Sequence, residues 1–418
     1  MQQWMLFMAV QREWSEIKSS KCNRCKPILP SWQLNSPLVL NLLYFHIWGP
    51  KASPPPPRRW SEKGQHTSEK KQMEWIRNWQ RLCRHYILIA IHDDLSAVCV
   101  EGTIITDRCG QRCRCSGGRL VSCTRIRREF TSMPRADREK YIRTVATAST
   151  DQRYKPDYDR LITLHKTIFR SGIHERDYFL PWHRWYVLQY ENLLRRIDCT
   201  VTASYWDWSV VSQTPWRGRV SDLWYIGNSG FGGNGQRTPE QCVTSGPFGR
   251  GTWNVVPSAG GGCLRRQFNL TGNLPDSVAV AEVLRTRAVD FDSFEISLRI
   301  NLHDTVHCMI GGHMCSFDSA TSPEFMLHHG FIDKIWTDWQ RQSSAHRNAH
   351  FPRVAGNMPG TRQLHARAVL DNFRLPGGVR VQYQVTAIPQ LRSVLRRLGG
   401  NHSFISNTTI TFPVVKRR

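Results

Sequence analysis

The sequence predicts a mainly α-helical domain with long irregular loops, preceded by a small cysteine-rich module. Between residues 131 and 345, apolar side chains recur at three- and four-residue spacing, as expected for helices with one buried face. Residues 227–262 are rich in Gly and Ser, which is typical of loops. Cysteines crowd into residues 99–123, where few apolar side chains could build a core. These three patterns define the fold class.

Residues 1–98 receive no fold assignment. Between positions 51 and 72 a proline run is followed by charged residues, which indicates a linker or disorder. No apolar stretch approaches the roughly 20 residues that a membrane-spanning helix needs, so no integral membrane segment is expected. We interpret this segment as linker, disorder or an unusual targeting sequence, with Met73 a candidate alternative start.

Residues 99–130 form the predicted cysteine-rich module. Five cysteines follow the spacing C-x9-C-x3-C-x-C-x7-C from Cys99 to Cys123. Disulfides must hold such a unit, because it has little apolar material of its own. The spacing resembles half of a von Willebrand factor type C module, which implies a protein-binding surface; a plain structural staple is the alternative.

Charge and cysteine content bound the function classes. The formal net charge is +24, which would speed encounter with a polyanion. The basic residues are scattered among Trp, Gly and Pro instead of forming repeated basic helices, so no nucleic-acid partner is predicted. Ten of the 13 cysteines lie between Cys99 and Cys315, an even number that permits full pairing and favours a secreted protein. Three Asn-x-Ser/Thr sequons agree with secretion: Asn269, Asn401 and Asn407.

Three segments between residues 131 and 345 have the pattern of amphipathic helices that carry a histidine on the apolar face. His165 shares the first face with Tyr158 and Ile162. The second helix carries His183, with a proline in its first turn, and the third carries His329. Because burying imidazoles without partners is costly, these positions suggest ligands.

His303 and His307 add a further pair, four residues apart, which a helix places on one side. Asp304 stands where a zinc protease of the HExxH type would have its glutamate, so that class is excluded. Imidazole suits copper, zinc, iron and nickel. A donor set of histidines without carboxylate or thiolate favours copper.

At these residues the sequence resembles the type 3 copper proteins, which comprise tyrosinases, catechol oxidases and the copper domains of molluscan haemocyanin. HERDYFLPWHRW, from His174, resembles the first copper signature of that family. HDTVHCMIGGHM, from His303, and SPEFMLHHGFIDKIW, from Ser322, resemble the second. The resemblance implies a tyrosinase-like helical bundle holding two copper ions at residues 131–345, followed by a tail at residues 346–418 with some strands.

The resemblance also implies which histidines bind copper. The expected ligands are His165, His174 and His183 for the first ion and His303, His307 and His329 for the second. A histidine followed four positions later by Asp333 selects His329 over His328. His313 and His328 are expected not to bind metal. Asp333 either orients a ligand, pairs with Arg184 or is an ordinary charge on the helix face.

Two acidic residues complete the predicted site. Tyrosinases that hydroxylate monophenols often have Asn after the first ligand of the second copper, working with an upstream Glu to hold a water molecule; Asp304 and Glu295 stand at those positions here. The pair could share a proton and act as a base, or could point elsewhere and leave only catechol oxidation.

The predicted activity is oxidation of catechols, together with hydroxylation of monophenols, by dioxygen to give o-quinones. The expected substrates are small phenols and catechols or tyrosine residues of matrix proteins, and the expected outcome is pigment formation or extracellular protein cross-linking. The alternatives are a haemocyanin-like dioxygen carrier and a matrix or adhesive protein with an inactive copper site.

Overall fold

The computed structural model describes residues 99–175, 177–236, 240–350 and 356–384. Several predictions lie outside these residues: the linker or targeting segment 1–98 with Met73, the sequons at Asn401 and Asn407, and a strand-like run at Thr408–Val415. Everything described below belongs to one compact unit, Asp94–Arg418.

Helices form the core of this unit, which confirms the predicted mainly α class. Helix α1 (Arg135–Thr150) packs on α2 (Lys155–Thr167) and α3 (Phe179–Ile197). Helix α7 (Phe325–Gln340) packs along α3. Five tryptophans are buried in this core: Trp182, Trp206, Trp208, Trp336 and Trp339. These tryptophans therefore pack the bundle that supports the site.

The chain between α3 and α7 is mostly loop, with shorter helices. A continuous helical stretch runs from α5 (Phe291–Ile296) through a π-helical segment (Ser297–Asp304) into α6 (Thr305–Ile310). Such π-helical insertions are rare and often lie at functional sites. Helix α4 (Ser277–Leu284) precedes this stretch in sequence, and α8 (Ser344–Asn348) follows α7.

A four-stranded sheet joins the cysteine-rich segment to the C-terminal region. Strands β1 (Ile104–Thr106), β2 (Arg112–Ser116) and β3 (Arg119–Arg127) are antiparallel neighbours. Strand β4 (Arg380–Tyr383) pairs in parallel with β3, so the sheet order is β1-β2-β3-β4. The predicted strand in the tail is thus present, and it completes a sheet begun more than 250 residues earlier.

Five disulfides pair all ten cysteines from Cys99 to Cys315, as their even number permits. The pairs are Cys99–Cys115, Cys109–Cys199, Cys113–Cys123, Cys242–Cys263 and Cys308–Cys315. The second of these ties the cysteine-rich segment to the residues that follow α3. Among the described helices, none has the length and apolar character required to cross a membrane.

Candidate metal centre

The first triad gathers histidines from two helices and the turn between them. His165 lies on α2, His183 lies on α3, and His174 lies in the intervening turns. The ring centroid of His165 is 5.0 Å from that of His174 and 5.7 Å from that of His183. Gly172, with φ of 86°, lets the chain turn back before His174, and Phe169 packs against the His174 ring at 4.1 Å. The three side chains offer ring nitrogens to one point.

The second triad comes from the other half of the domain. His303 lies in the π-helical segment, His307 on α6 and His329 on α7. Nε2 of His329 is 3.3 Å from Nε2 of both His303 and His307. The rings of His303 and His307 are 4.5 Å apart, so the four-residue spacing places them on one side, as predicted.

The two triads face each other. The rings of His183 and His329 are stacked at 4.3 Å with an interplanar angle of 10°. The ring of Phe325 touches both groups, at 4.9 Å from His165 and 4.1 Å from His329. The structure thus brings all six predicted histidines together, and their individual roles as ligands stay a prediction.

Hydrogen bonds fix which ring nitrogen faces the centre. Nδ1 of His183 donates to the Phe179 carbonyl at 2.8 Å, and Nδ1 of His307 donates to the Met314 carbonyl at 2.7 Å. A carbonyl only accepts, so each Nδ1 carries the proton and each Nε2 keeps its lone pair. This is the arrangement in which metal-binding histidines are usually held.

Several inward-facing nitrogens lack a protein partner. Within the described residues, neither ring nitrogen of His165 has a hydrogen-bond partner, and neither does Nε2 of His183. Both side chains are buried. A buried polar atom without a partner costs on the order of 1–3 kcal/mol, so these orphaned lone pairs fit a bound metal ion.

Comparison with known proteins identifies the family. Residues 155–342 match the model of the common central domain of tyrosinase. A tyrosinase of Streptomyces lincolnensis is 31% identical over 257 residues, which cover 55% of this chain and 87% of that protein. A tyrosinase of Streptomyces antibioticus is 31% identical over 243 residues, or 52% of this chain and 83% of that protein. This chain belongs to the tyrosinase family.

The tyrosinase family assignment makes the protein a copper oxidoreductase with a binuclear copper site. All six histidines lie within the matched residues. A solved polyphenol oxidase variant from Thermothelomyces thermophila is 22% identical with a TM-score of 0.47, and covers 63% of this chain and 89% of its own.

The donor set fits copper and no other described cluster competes for it. Each triad offers three imidazoles without carboxylate or thiolate, which suits copper. Two other groups of potential ligands include Cys113 with Cys123, and Cys242 with Cys263. These cysteines are disulfide-bonded, so they offer no thiolate to a metal.

Burial keeps the six imidazoles neutral, as metal binding requires. It lowers the pKa of His174 and of His307 to about 4. It also lowers the pKa well below its usual value for the remaining four: His165, His183, His303 and His329. Copper therefore does not have to displace protons from these rings at neutral pH.

We expect the copper-free protein to lose stability as pH falls from about 7 to about 5.5. A histidine with a lowered folded-state pKa binds a proton more readily when unfolded, so its contribution is lost as pH drops below the unfolded value of about 6.5. Urea unfolding of the metal-free protein at both pH values measures the effect, and equal free energies of unfolding would contradict it.

Glu295 and Asp304 have separate partners, and Asp304 contacts the second triad. The buried Glu295 carboxylate accepts from Nε of Arg299 at 2.6 Å, and burial raises its pKa. Oδ1 of Asp304 is 2.7 Å from Nδ1 of His303, and half of the Asp304 side chain is exposed. Within the described residues, no hydrogen bond joins the two carboxylates. A directly shared proton, the first of the two predicted alternatives, therefore has no hydrogen bond to carry it.

Sequence reasoning missed several groups that support the site. His328 is fully buried, its Nδ1 accepts from Nε1 of Trp208 at 3.2 Å, and its Nε2 has no hydrogen-bond partner within the described residues. The expectation that His328 does not bind metal stays a prediction. Arg299 was missed, although its position four residues after Glu295 was a readable signal. The Met314 carbonyl, which accepts from His307, was missed because every residue has a backbone carbonyl and the residue type does not show which one acts as an acceptor.

Proposed function

We propose that this protein uses dioxygen to oxidise catechols to o-quinones, with His165, His174 and His183 holding one copper and the second triad the other. The stacking of His183 on His329 at 4.3 Å carries this proposal, because it places two metal-binding groups side by side. A catechol gives up two electrons and two protons on becoming an o-quinone, which matches a two-metal oxidant.

The chain's own groups would support this chemistry in three ways. Bound at the six imidazoles, copper supplies the electron transfer to dioxygen that side chains cannot perform. The protonated Nδ1 atoms of His183 and His307 keep both Nε2 lone pairs inward. The rings of Phe169 and Phe325 cover apolar faces of the histidines and exclude water from them.

Asp304 is the proposed proton acceptor for substrate hydroxyls. Its carboxylate is half exposed while it contacts His303, so it can face a docked ring and the metal ligand at once. Glu295, the other predicted catalytic residue, is fully buried and forms an ion pair with Arg299. On this basis we also propose hydroxylation of monophenols, with Asp304 taking the phenolic proton.

Replacing Asp304 with asparagine is expected to lower monophenol hydroxylation by about 100-fold, in the range for loss of a general base. Catechol oxidation should fall less, because electron transfer from catechol does not require hydroxylation of the ring. Initial rates on a monophenol and its catechol measure the ratio. Asp290→Asn, which removes an exposed carboxylate paired with Arg287, is the control. Unchanged or increased monophenol turnover in Asp304→Asn would exclude the base role.

The proposed activity is tested on purified, copper-loaded protein. Copper content per chain, catechol turnover and the near-ultraviolet band of the oxygenated form are measured on one preparation. Two coppers, a band and turnover support the oxidase. A band without turnover favours the dioxygen carrier, and the absence of both favours a matrix or adhesive protein with an inactive site.

An extracellular setting is part of the proposal. Five disulfides within the described residues favour an oxidising compartment. The sequon residue Asn269 is exposed and therefore accessible to a glycan. The proposed substrates are small phenols and catechols or tyrosine residues of matrix proteins, and the quinone products would form pigment or cross-link proteins.

A further inference from the structure

The loop between His307 and His329, two members of the second triad, is held by a hydrogen bond and a disulfide at neighbouring positions. Nδ1 of His307 donates to the Met314 carbonyl at 2.7 Å. The next residue after each partner is a cysteine, and Cys308 is bonded to Cys315. The covalent bond therefore joins the two chain positions adjacent to the hydrogen-bonded pair.

This hydrogen bond differs from the one that holds His183. The acceptor for His183 is the Phe179 carbonyl, four residues earlier on the same helix, so helical geometry alone positions it. Met314 lies beyond the end of α6, after two glycines that adopt positive φ. Its carbonyl stays on His307 only while the loop keeps its conformation.

The loop also reaches the first triad. Phe317 packs edge-on against Phe169 at 4.6 Å, and Phe169 lies against the ring of His174. Asp318 pairs with Lys166, the neighbour of His165, at 2.8 Å. A displacement of the loop would be felt first at His307, through the direct hydrogen bond, and only indirectly at His174.

We propose that the Cys308–Cys315 disulfide is a positioning element for His307, which makes copper binding at the second triad dependent on the oxidation state of this bond. The proposal rests on the proposed ligand set. With the disulfide formed, the Met314 carbonyl keeps the proton on Nδ1 and the lone pair on Nε2. When it is reduced, the loop is free to leave His307, and the ring gains rotational and tautomeric freedom that opposes metal binding.

The bond is accessible to reductants. Among the disulfides of the described residues, only Cys308–Cys315 has both cysteines exposed. Each of the other disulfides includes at least one buried or half-buried cysteine. Reduction consumes two electrons and two protons and yields two thiols, with an added dithiol or phosphine as the reductant. A mild reductant should therefore act here before it acts on the other four.

The test uses the full-length, copper-loaded protein and a chelator titration. In the double variant Cys308→Ser with Cys315→Ser, one copper per chain should leave at about tenfold lower chelator concentration than in the wild type, the scale of effect expected for loss of a ligand-orienting group. The other copper should leave at the wild-type concentration. The control variant, Cys99→Ser with Cys115→Ser, removes the disulfide that holds β2 instead. It should leave unchanged the chelator concentrations at which the two coppers are released.

Readouts besides activity separate positioning from general damage. Thermal unfolding of the copper-free forms reports stability, and a merely structural disulfide would weaken both coppers in step with it. If the double variant fails to fold, graded reduction of wild-type protein replaces it: alkylation and mass spectrometry identify the reduced pair, and copper content is followed in parallel. Loss of one copper with reduction of Cys308–Cys315 supports the proposal.

The outcomes also separate this inference from the proposed function. Wild-type protein that binds fewer than two coppers overturns the proposed function itself. Wild-type protein that binds two, with the same chelator curve after loss of the disulfide, overturns only the positioning role. Simultaneous release of both coppers from the double variant likewise overturns it, because the effect would not be specific to the second triad.

Discussion

Replacing His329 with asparagine is expected to lower catechol oxidation by at least about a thousandfold, on the order of 4 kcal/mol of transition-state stabilisation. Nε2 of His329 lies 3.3 Å from Nε2 of His303 and of His307, and its ring stacks on His183. It is therefore a member of the second triad and the point of contact with the first. Its loss leaves two imidazoles for the second copper.

His328→Asn is the matched control, since the two histidines are neighbours on α7 and equally buried. Nδ1 of His328 is engaged by Trp208, so its replacement should cost stability and leave two coppers per chain. Copper analysis and catechol rates on both variants give the answer. Loss of copper from His328→Asn, with retention in His329→Asn, would reverse the predicted ligand choice.

Local periodicity predicted some of the histidines that the structure brings together. His165 and His183 could be placed on inner helix faces because apolar neighbours at three- and four-residue spacing marked those faces. His303 and His307 lie on one side of the helical stretch, as their four-residue spacing predicts. No sequence pattern predicted that His303 would lie in a π-helical segment. The resemblance to type 3 copper proteins then joined triads that are more than a hundred residues apart, a step that periodicity alone could not supply.

The sequence could not predict which distant strands and cysteines pair with each other. Strand β3 pairs with β4, and Cys109 bonds to Cys199. In each pair, the sequence around one member does not indicate which distant residue is its partner. Cysteine number permitted full pairing and could not choose among connectivities. The boundaries at residues 130/131 and 345/346 stay a prediction, and the β3–β4 pairing spans both of them.

One cluster of buried charge joins these long-range elements. Asp333, one turn after His329 on α7, accepts from Nε of Arg184 at 2.5 Å, which is one of the three roles considered for it. Its second oxygen accepts from the Tyr383 hydroxyl at 2.5 Å and lies 3.4 Å from Arg127. One carboxylate thus connects α7 to α3, β3 and β4.

Asp333→Asn is expected to lower the free energy of unfolding of the copper-free protein by about 3–5 kcal/mol, the usual cost of breaking a buried ion pair. The guanidinium groups of Arg184 and Arg127, which contact Asp333, are fully buried. Arg184 has no other carboxylate partner within the described residues. An amide of nearly the same shape removes the charge without opening a cavity, so the loss would be electrostatic. Urea unfolding measures it.

Asp371→Asn provides the comparison, because its ion pair with Arg374 is exposed and such pairs contribute about 0–1 kcal/mol. Similar small losses in both variants would mean that the carbonyl groups around Arg184 suffice to compensate its charge. A large loss confined to Asp333→Asn would instead show that α7 is held against the sheet by this carboxylate. Since His329 lies one turn away on the same helix, the stability of the bundle and the position of a predicted copper ligand would then depend on the same buried charge.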